Sequence, residues 1–147
     1  MPLKKRSGTR SAASSISRPP EPLVFFVDES LDSQTVADAL RAAGATVERL
    51  TEIFPKGTKD EIWLPHAGSK NWVVLTRDKR IRYRHLERLA LKEARVRAFV
   101  FTGGNVTVKD TAEILARALP RIERICRSNT GPFIYHIGRT GTPIRMD

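Results

Sequence analysis

From Leu23 onward the chain alternates short apolar runs with amphipathic stretches. Leu23-Val24-Phe25-Phe26-Val27 is apolar throughout, rich in aromatic and β-branched residues and too short for a helix, which predicts a strand buried on both faces. Asp28-Glu29-Ser30 ends it. Leu31, Val36, Ala39, Leu40 and Ala43 then space a helix stopped by Gly44. Ala45–Leu50 predicts a second strand, Pro55 and Gly57 mark 51–58 as a loop, and Asp60–Ala67 reads as a short helix in spite of Pro65. Trp72-Val73-Val74-Leu75-Thr76 repeats the buried-strand signature, ends in Arg77-Asp78-Lys79, and is followed by a helix from about Tyr83 to Ala94. Ala98-Phe99-Val100-Phe101 is a fourth strand, closed by Thr102-Gly103-Gly104. Thr107 and Asp110 fit a capping box, and Val108, Ala112, Leu115, Leu119, Ile122 and Ile125 space a long helix, kinked near Pro120. Phe133–Ile137 is a fifth strand or an edge extension. Strands alternating with helices predict a mostly parallel sheet covered on both faces, an α/β fold.

Residues 1–22 break this pattern. They are rich in Ser, Pro and basic residues and hold three apolar side chains larger than alanine, too few to repay the entropy of ordering, so a disordered basic tail is expected. Its five basic residues and one acid account for +4 of a net charge of +10, which leaves +6 on the rest. The basic bias therefore points beyond the tail to a polyanionic partner such as nucleic acid. At 147 residues there is room for one domain, and no stretch approaches the ~20 apolar residues of a membrane span. A soluble, cytoplasmic protein without a membrane partner is expected. Cys126 is the sole cysteine, and His66, His85 and His136 are too scattered for a ligand motif, so any metal must sit on carboxylates. Cys126, Trp63 and Trp72 read as packing residues, His85 and Glu87 as surface positions.

In an open parallel sheet the ligand crevice lies beyond the carboxyl ends of the strands. Strand one ends at Asp28-Glu29 and strand three at Thr76-Arg77-Asp78, while Asp60-Glu61 opens the helix before strand three. Carboxylates gathered from separate segments repel one another unless a cation joins them, and Mg²⁺ or Mn²⁺ suits hard oxygen donors. Such a site hydrolyses phosphodiesters by activating water and neutralising charge on the leaving oxygen. Arg77, Lys79, Arg80, Arg82, Arg84 and Arg88 set six positive charges in the twelve residues beside Asp78, suited to a nucleic-acid backbone. Each feature also has a plainer role: Asp28, Glu29, Asp60 and Glu61 suit helix starts, Asp78 suits exposed ion pairs, and the arginine run suits a solvated helix face.

Leu23-Val24-Phe25-Phe26-Val27-Asp28-Glu29-Ser30-Leu31, the stretch from Lys59 through Trp72-Val73-Val74-Leu75-Thr76-Arg77-Asp78 to Glu87, and Ala98-Phe99-Val100-Phe101-Thr102-Gly103-Gly104-Asn105 together resemble the PIN-like nuclease domains related to VapC toxins. The resemblance covers roughly residues 23–137, leaving 138–147 as a C-terminal tail. It implies a three-layer α/β/α domain with a mostly parallel sheet of four to five strands, and a metal-dependent ribonuclease. Its acidic positions match Asp28 with Glu29, the Asp60-Glu61 pair, and Asp78, and Thr76 takes the hydroxyl position before the last acid, as a substrate contact. Asp28, Asp60 and Asp78 are then the metal ligands for Mg²⁺ or Mn²⁺, Glu29 and Glu61 neighbouring ligands or water-positioning groups, and Arg77, Lys79 and Arg82 the phosphate contacts. A further acid two positions after Asp78, common in PIN domains, is replaced by Arg80, with Glu87 as a weak substitute. The resemblance also implies an RNA substrate, a cognate antitoxin and a homodimer.

Two other readings compete. A receiver-like phosphoacceptor domain also has acids after strand one, an Asp near strand three and a Thr after strand four, here Asp28-Glu29, Asp78 and Thr102, but its lysine after strand five is missing and Arg139 stands there. A PIN-like module that binds nucleic acid without cutting it is suggested by Arg80.

Overall fold

Phe25, Phe26 and Val27, all fully buried, form the heart of β1 (Val24–Val27). A strand covered on both faces cannot alternate apolar with polar residues, which is why this segment reads as a continuous apolar run. β1 pairs in parallel with β2 (Thr46–Arg49) on one side and β3 (Val73–Thr76) on the other. β4 (Arg97–Phe101) and β5 (Phe133–Ile137) continue the parallel ladder, and β6 (Pro143–Arg145) closes it antiparallel to β5. The sheet order is β2-β1-β3-β4-β5-β6 in this computed structural model, which describes residues 22–146. The expected tail at 1–22 lies outside the described residues apart from Pro22.

The sheet has six strands where four to five were expected, because Pro143–Arg145, within the expected C-terminal tail, forms one of them. Gly141, at φ +78°, donates to the Gly138 carbonyl in a turn that returns the chain along β5. Pro143 is tolerated on this outermost strand, where a missing N–H removes little of the ladder.

The side chains of β1 alternate between two cores. Phe25 and Val27 pack with α1 (Gln34–Ala42) and α6 (Val108–Ser128). Phe26 packs on the other face with Trp63, Leu64 and Ala67 of α3 (Asp60–Ser69), Ile81 of α4 (Lys79–Tyr83) and Leu91 of α5 (His85–Glu93). The Phe26 ring lies 5.3 Å from Trp63 and 5.4 Å from Trp72, so both tryptophans pack as expected, Trp63 buried in the core and Trp72 half-buried against it. Truncating so buried a phenylalanine costs about 3–5 kcal/mol. The three layers, helix, sheet and helix, follow from these two cores.

Several boundaries differ from the sequence reading. α1 begins at Gln34, where Ser33 Oγ accepts the Val36 N–H at 3.0 Å, and Leu31 is buried in the turn before it. Leu50–Ile53, expected as strand end and loop, is one helical turn, α2, whose Leu50 is drawn into the core. The helix expected over 83–94 runs as α5 from His85 to Glu93, and the stretch before it, expected without a helix, holds a separate turn, α4, which Asp78 caps and an extended Arg84 (φ −118°, ψ 118°) ends. α6 starts at the expected Thr107 cap and stays helical through the exposed Pro120. Among the described residues no helix is long and apolar enough to cross a membrane.

Topology decides where a crevice opens. The chain leaves β1 for β2 on one side, then crosses back to β3 on the other, so the direction of winding switches between β1 and β3. α1 and α6 share a face yet carry the chain opposite ways across the sheet, so their crossovers have opposite hands. With the long α6 on that face, the short helices α3, α4 and α5 cover the other face beside the switch point. Gly68 lets α3 approach the end of α5, since a Cβ there would collide with the Ala94 carbonyl oxygen.

Candidate active site

Each of the two strands flanking the switch point delivers a carboxylate. Asp28, 6% exposed, follows β1, and its N–H still pairs with the Leu75 carbonyl at 3.1 Å. Its Oδ1 accepts from Ser30 Oγ and its Oδ2 from Thr76 Oγ1, both at 2.6 Å. A hydroxyl has one hydrogen, so both are committed to this carboxylate. The hydroxyl oxygens in turn accept the backbone N–H groups of Arg77 (2.9 Å to Ser30) and Asp78 (3.1 Å to Thr76). One network thus fixes Asp28 and the strand end that carries Asp78. Burial pushes the Asp28 carboxyl up to about 6; the charges of Asp60 and Asp78 add to that, and the two hydroxyl bonds partly offset it.

Asp60 opens α3, and the buried indole of Trp63 one turn later donates from Nε1 to Asp60 Oδ1 at 3.1 Å. Asp78 caps α4, with Oδ1 accepting the Arg80 N–H at 2.9 Å. Glu87 lies in the first turn of α5. Asp60, Asp78 and Glu87 each bring one oxygen within 4.8 Å of the others. Together with Asp28 and Thr76 they line one small cavity backed by Trp63, Leu64, Ile81 and Leu91. The same four acids border a larger cleft of about 1280 Å³.

The guanidinium of Arg80 projects into this group. Its Nε reaches both Asp78 oxygens at 3.0 and 3.1 Å, and its Nη2 reaches Asp78 Oδ2 at 2.6 Å and Asp60 Oδ2 at 3.5 Å. Nη1 lies 3.9 Å from Glu87 Oε1. Burial works to raise the Asp78 carboxyl, but the Arg80 side-chain and backbone hydrogen bonds and its charge outweigh that and hold it below the ordinary value. Asp60 goes the other way, raised by burial and by the charges of Asp78 and Glu87 against the pull of Arg80 and Trp63.

The structure therefore gathers Asp28, Asp60 and Asp78, as the sequence reading expected, and adds Glu87, which that reading favoured as a surface position and offered only as a weak substitute for a fourth acid. Glu29 and Glu61 sit farther out. Glu29 Oε1 accepts the Gly57 N–H at 2.8 Å at the rim, and Glu61 is exposed on the wall of the larger cleft, outside the small cavity. The Thr76 hydroxyl, expected at substrate, holds Asp28 in place. Arg77 donates from Nη2 to the Gly104 carbonyl at 2.7 Å and lies 5.4 Å from the Phe101 ring centroid. Lys79 and Arg82 are exposed on α4, with Arg82 over the Tyr83 ring. The segment expected as a basic loop is thus partly helical, and the turn at Lys79 is what aims Arg80 at the acids. Ser30 was also missed; a serine two residues after a strand-end acid was its only trace in the sequence.

The polar lining of the cavity is carboxylate and hydroxyl, a hard oxygen set that fits Mg²⁺ or Mn²⁺. Asp28 in particular is a buried carboxylate beside like charges, the condition a bound cation relieves. Residues 23–103, just over half of the chain, match a family model described as a PIN-like domain, and the match contains all four acids. No curated protein and no solved structure matches the chain.

Proposed function

The chain belongs to the PIN-like domain family, whose members are in general nucleases, and from that premise we propose that it is a metal-dependent endoribonuclease of the VapC type, the toxin of a toxin–antitoxin pair. The observation that carries this reading is the convergence of Asp28, Asp60, Asp78 and Glu87 on one cavity at the switch point of the sheet. Asp28, Asp60 and Asp78 hold Mg²⁺ or Mn²⁺, with Glu87 as the fourth acid. A divalent ion held there would supply an activated water and neutralise charge on the leaving oxygen of the phosphodiester. Ser30 and Thr76 fix the Asp28 carboxylate, and Trp63 fixes Asp60, so the donors are aimed before the ion arrives. Arg77, Lys79 and Arg82 hold RNA phosphates, while Glu29 and Glu61 position water at the rim. The domain is taken as residues 23–137 with β6 added to its edge, acting in the cytoplasm as a homodimer whose cleft an antitoxin closes.

The test is incubation of the purified protein with RNA in Mg²⁺, Mn²⁺ or EDTA. Cleavage requires the divalent ion, and Asp28→Asn and Asp78→Asn each abolish it; activity surviving both substitutions discards the assignment. The toxin role predicts growth arrest on expression, relieved by the neighbouring reading frame. Arg80 among the acids favours one other reading, a module that holds RNA without cutting it; such a protein binds RNA equally in EDTA and leaves it intact.

A further inference from the structure

We infer that Arg80 takes the place of a second divalent cation, so that this site holds one ion and not two. The inference rests on the metal-dependent reading above and concerns how the site divides its charge. Asp60, Asp78 and Glu87 are close enough for one cation to serve all three, and the Arg80 guanidinium already does so, at 2.6 Å from Asp78, 3.5 Å from Asp60 and 3.9 Å from Glu87.

Its placement is built in rather than incidental. The backbone N–H of Arg80 bonds the same Asp78 carboxylate that its side chain grips, so cap and fork belong to one residue and the guanidinium stays within reach of the group. A planar fork against a carboxylate is the strongest of the common side-chain pairings. Asp28 lines the same cavity outside this group of three and is held by the neutral hydroxyls of Ser30 and Thr76. Four carboxylates carry −4; Arg80 reduces this to −3, and one divalent ion to −1. A second divalent ion would overshoot neutrality. Removing the cation at Arg80 restores the charge and the donor oxygens that a second ion needs.

The experiment is a Mn²⁺ titration of the full chain, followed by calorimetry and by electron paramagnetic resonance of the bound ion. Wild type binds one Mn²⁺ per chain. Arg80→Ala and Arg80→Gln bind two, and the paired ions show the spin coupling that a single ion lacks. Two ions on wild type, or one ion on wild type and on both variants, overturns the inference while leaving the metal-dependent reading intact. No ion on any of the three proteins removes the metal-dependent reading and this inference together. Far-UV circular dichroism checks that the variants are folded, and two ions on wild type overturn the inference by themselves if neither variant is.

Discussion

Trp63 donates its indole N–H to Asp60 Oδ1 at 3.1 Å while its ring packs 5.3 Å from Phe26, so one side chain joins the core to the site. Trp63→Phe keeps an aromatic ring against Phe26 and deletes the donor. The expected loss is about 1–2 kcal/mol of stability from the missing bond and the smaller ring. Because a ligand's orienting partner is lost, Mn²⁺ affinity falls roughly 10-fold or more. Denaturant unfolding measures the first and Mn²⁺ titration the second; unchanged affinity with reduced stability would make the bond purely structural.

Asp28 carries a cost that function explains. Its folded-state pKa, about 6, lies above the ordinary 3.8, so the fold favours the protonated acid. Stability from this group is therefore present at low pH and is lost as pH rises from about 4 to about 6. A shift of that size corresponds to at most about 3 kcal/mol. In EDTA at pH 7.5, Asp28→Asn is accordingly more stable than wild type, and the gap closes below pH 4. Adding Mn²⁺ raises the melting temperature of wild type and leaves that of the variant nearly where it was. A variant less stable than wild type at neutral pH would mean that the charge is already compensated.

How much of this was legible follows from where each signal lives. β1, β3 and β4 are buried on both faces, so their apolar runs are visible in the chain and place Asp28 and Asp78 at adjacent strand ends. β6 was invisible because Pro143 argues against a strand and only Ile144 of its three residues is a large apolar side chain. The inward place of Glu87 and the aim of Arg80 were less visible. The run from Lys79 to Tyr83 carries no helical signal of its own, yet Asp78 caps it into a separate turn that holds Arg80, and Arg84 breaks the helix before Glu87 enters the next one. Orientation on a helix depends on its boundaries to within a residue, and composition does not supply them.

The pair of Asp32 and Arg49 braces the same end of the sheet against acid. Arg49 donates from Nε to Oδ1 at 2.7 Å and from Nη2 to Oδ2 at 3.3 Å, and Thr51 Oγ1 adds a bond at 2.6 Å. Partial burial works to raise the Asp32 carboxyl, but these bonds and the Arg49 charge outweigh it, and the net shift is downward. A depressed carboxyl stabilises the fold above its unfolded value of 3.8 and stops doing so as pH falls through its folded value. Asp32→Asn therefore lowers stability by about 1 kcal/mol at pH 7, a figure already discounted for solvent screening. Urea unfolding at pH 7 and pH 3 checks this: the difference between variant and wild type shrinks at the lower pH.

Arg77 separates the proposed RNA contact from a structural one. Its guanidinium spends one hydrogen bond on the Gly104 carbonyl and lies 5.4 Å from the Phe101 ring centroid, contacts that pin the turn after β4. Those contacts leave further N–H donors at the carboxyl end of the sheet, on a residue flanked in the chain by Thr76 and Asp78, which both line the small cavity. For single-stranded RNA each neutralised phosphate contributes about 0.7 to the slope of log K against log salt. Arg77→Ala, measured in EDTA so that cleavage does not intervene, is expected to weaken RNA binding several-fold at low salt and to reduce that slope by about 0.7. If Arg77 only pins the turn, the melting temperature drops and the slope stays as in wild type. The slope is therefore the quantity that assigns this arginine to RNA or to the fold.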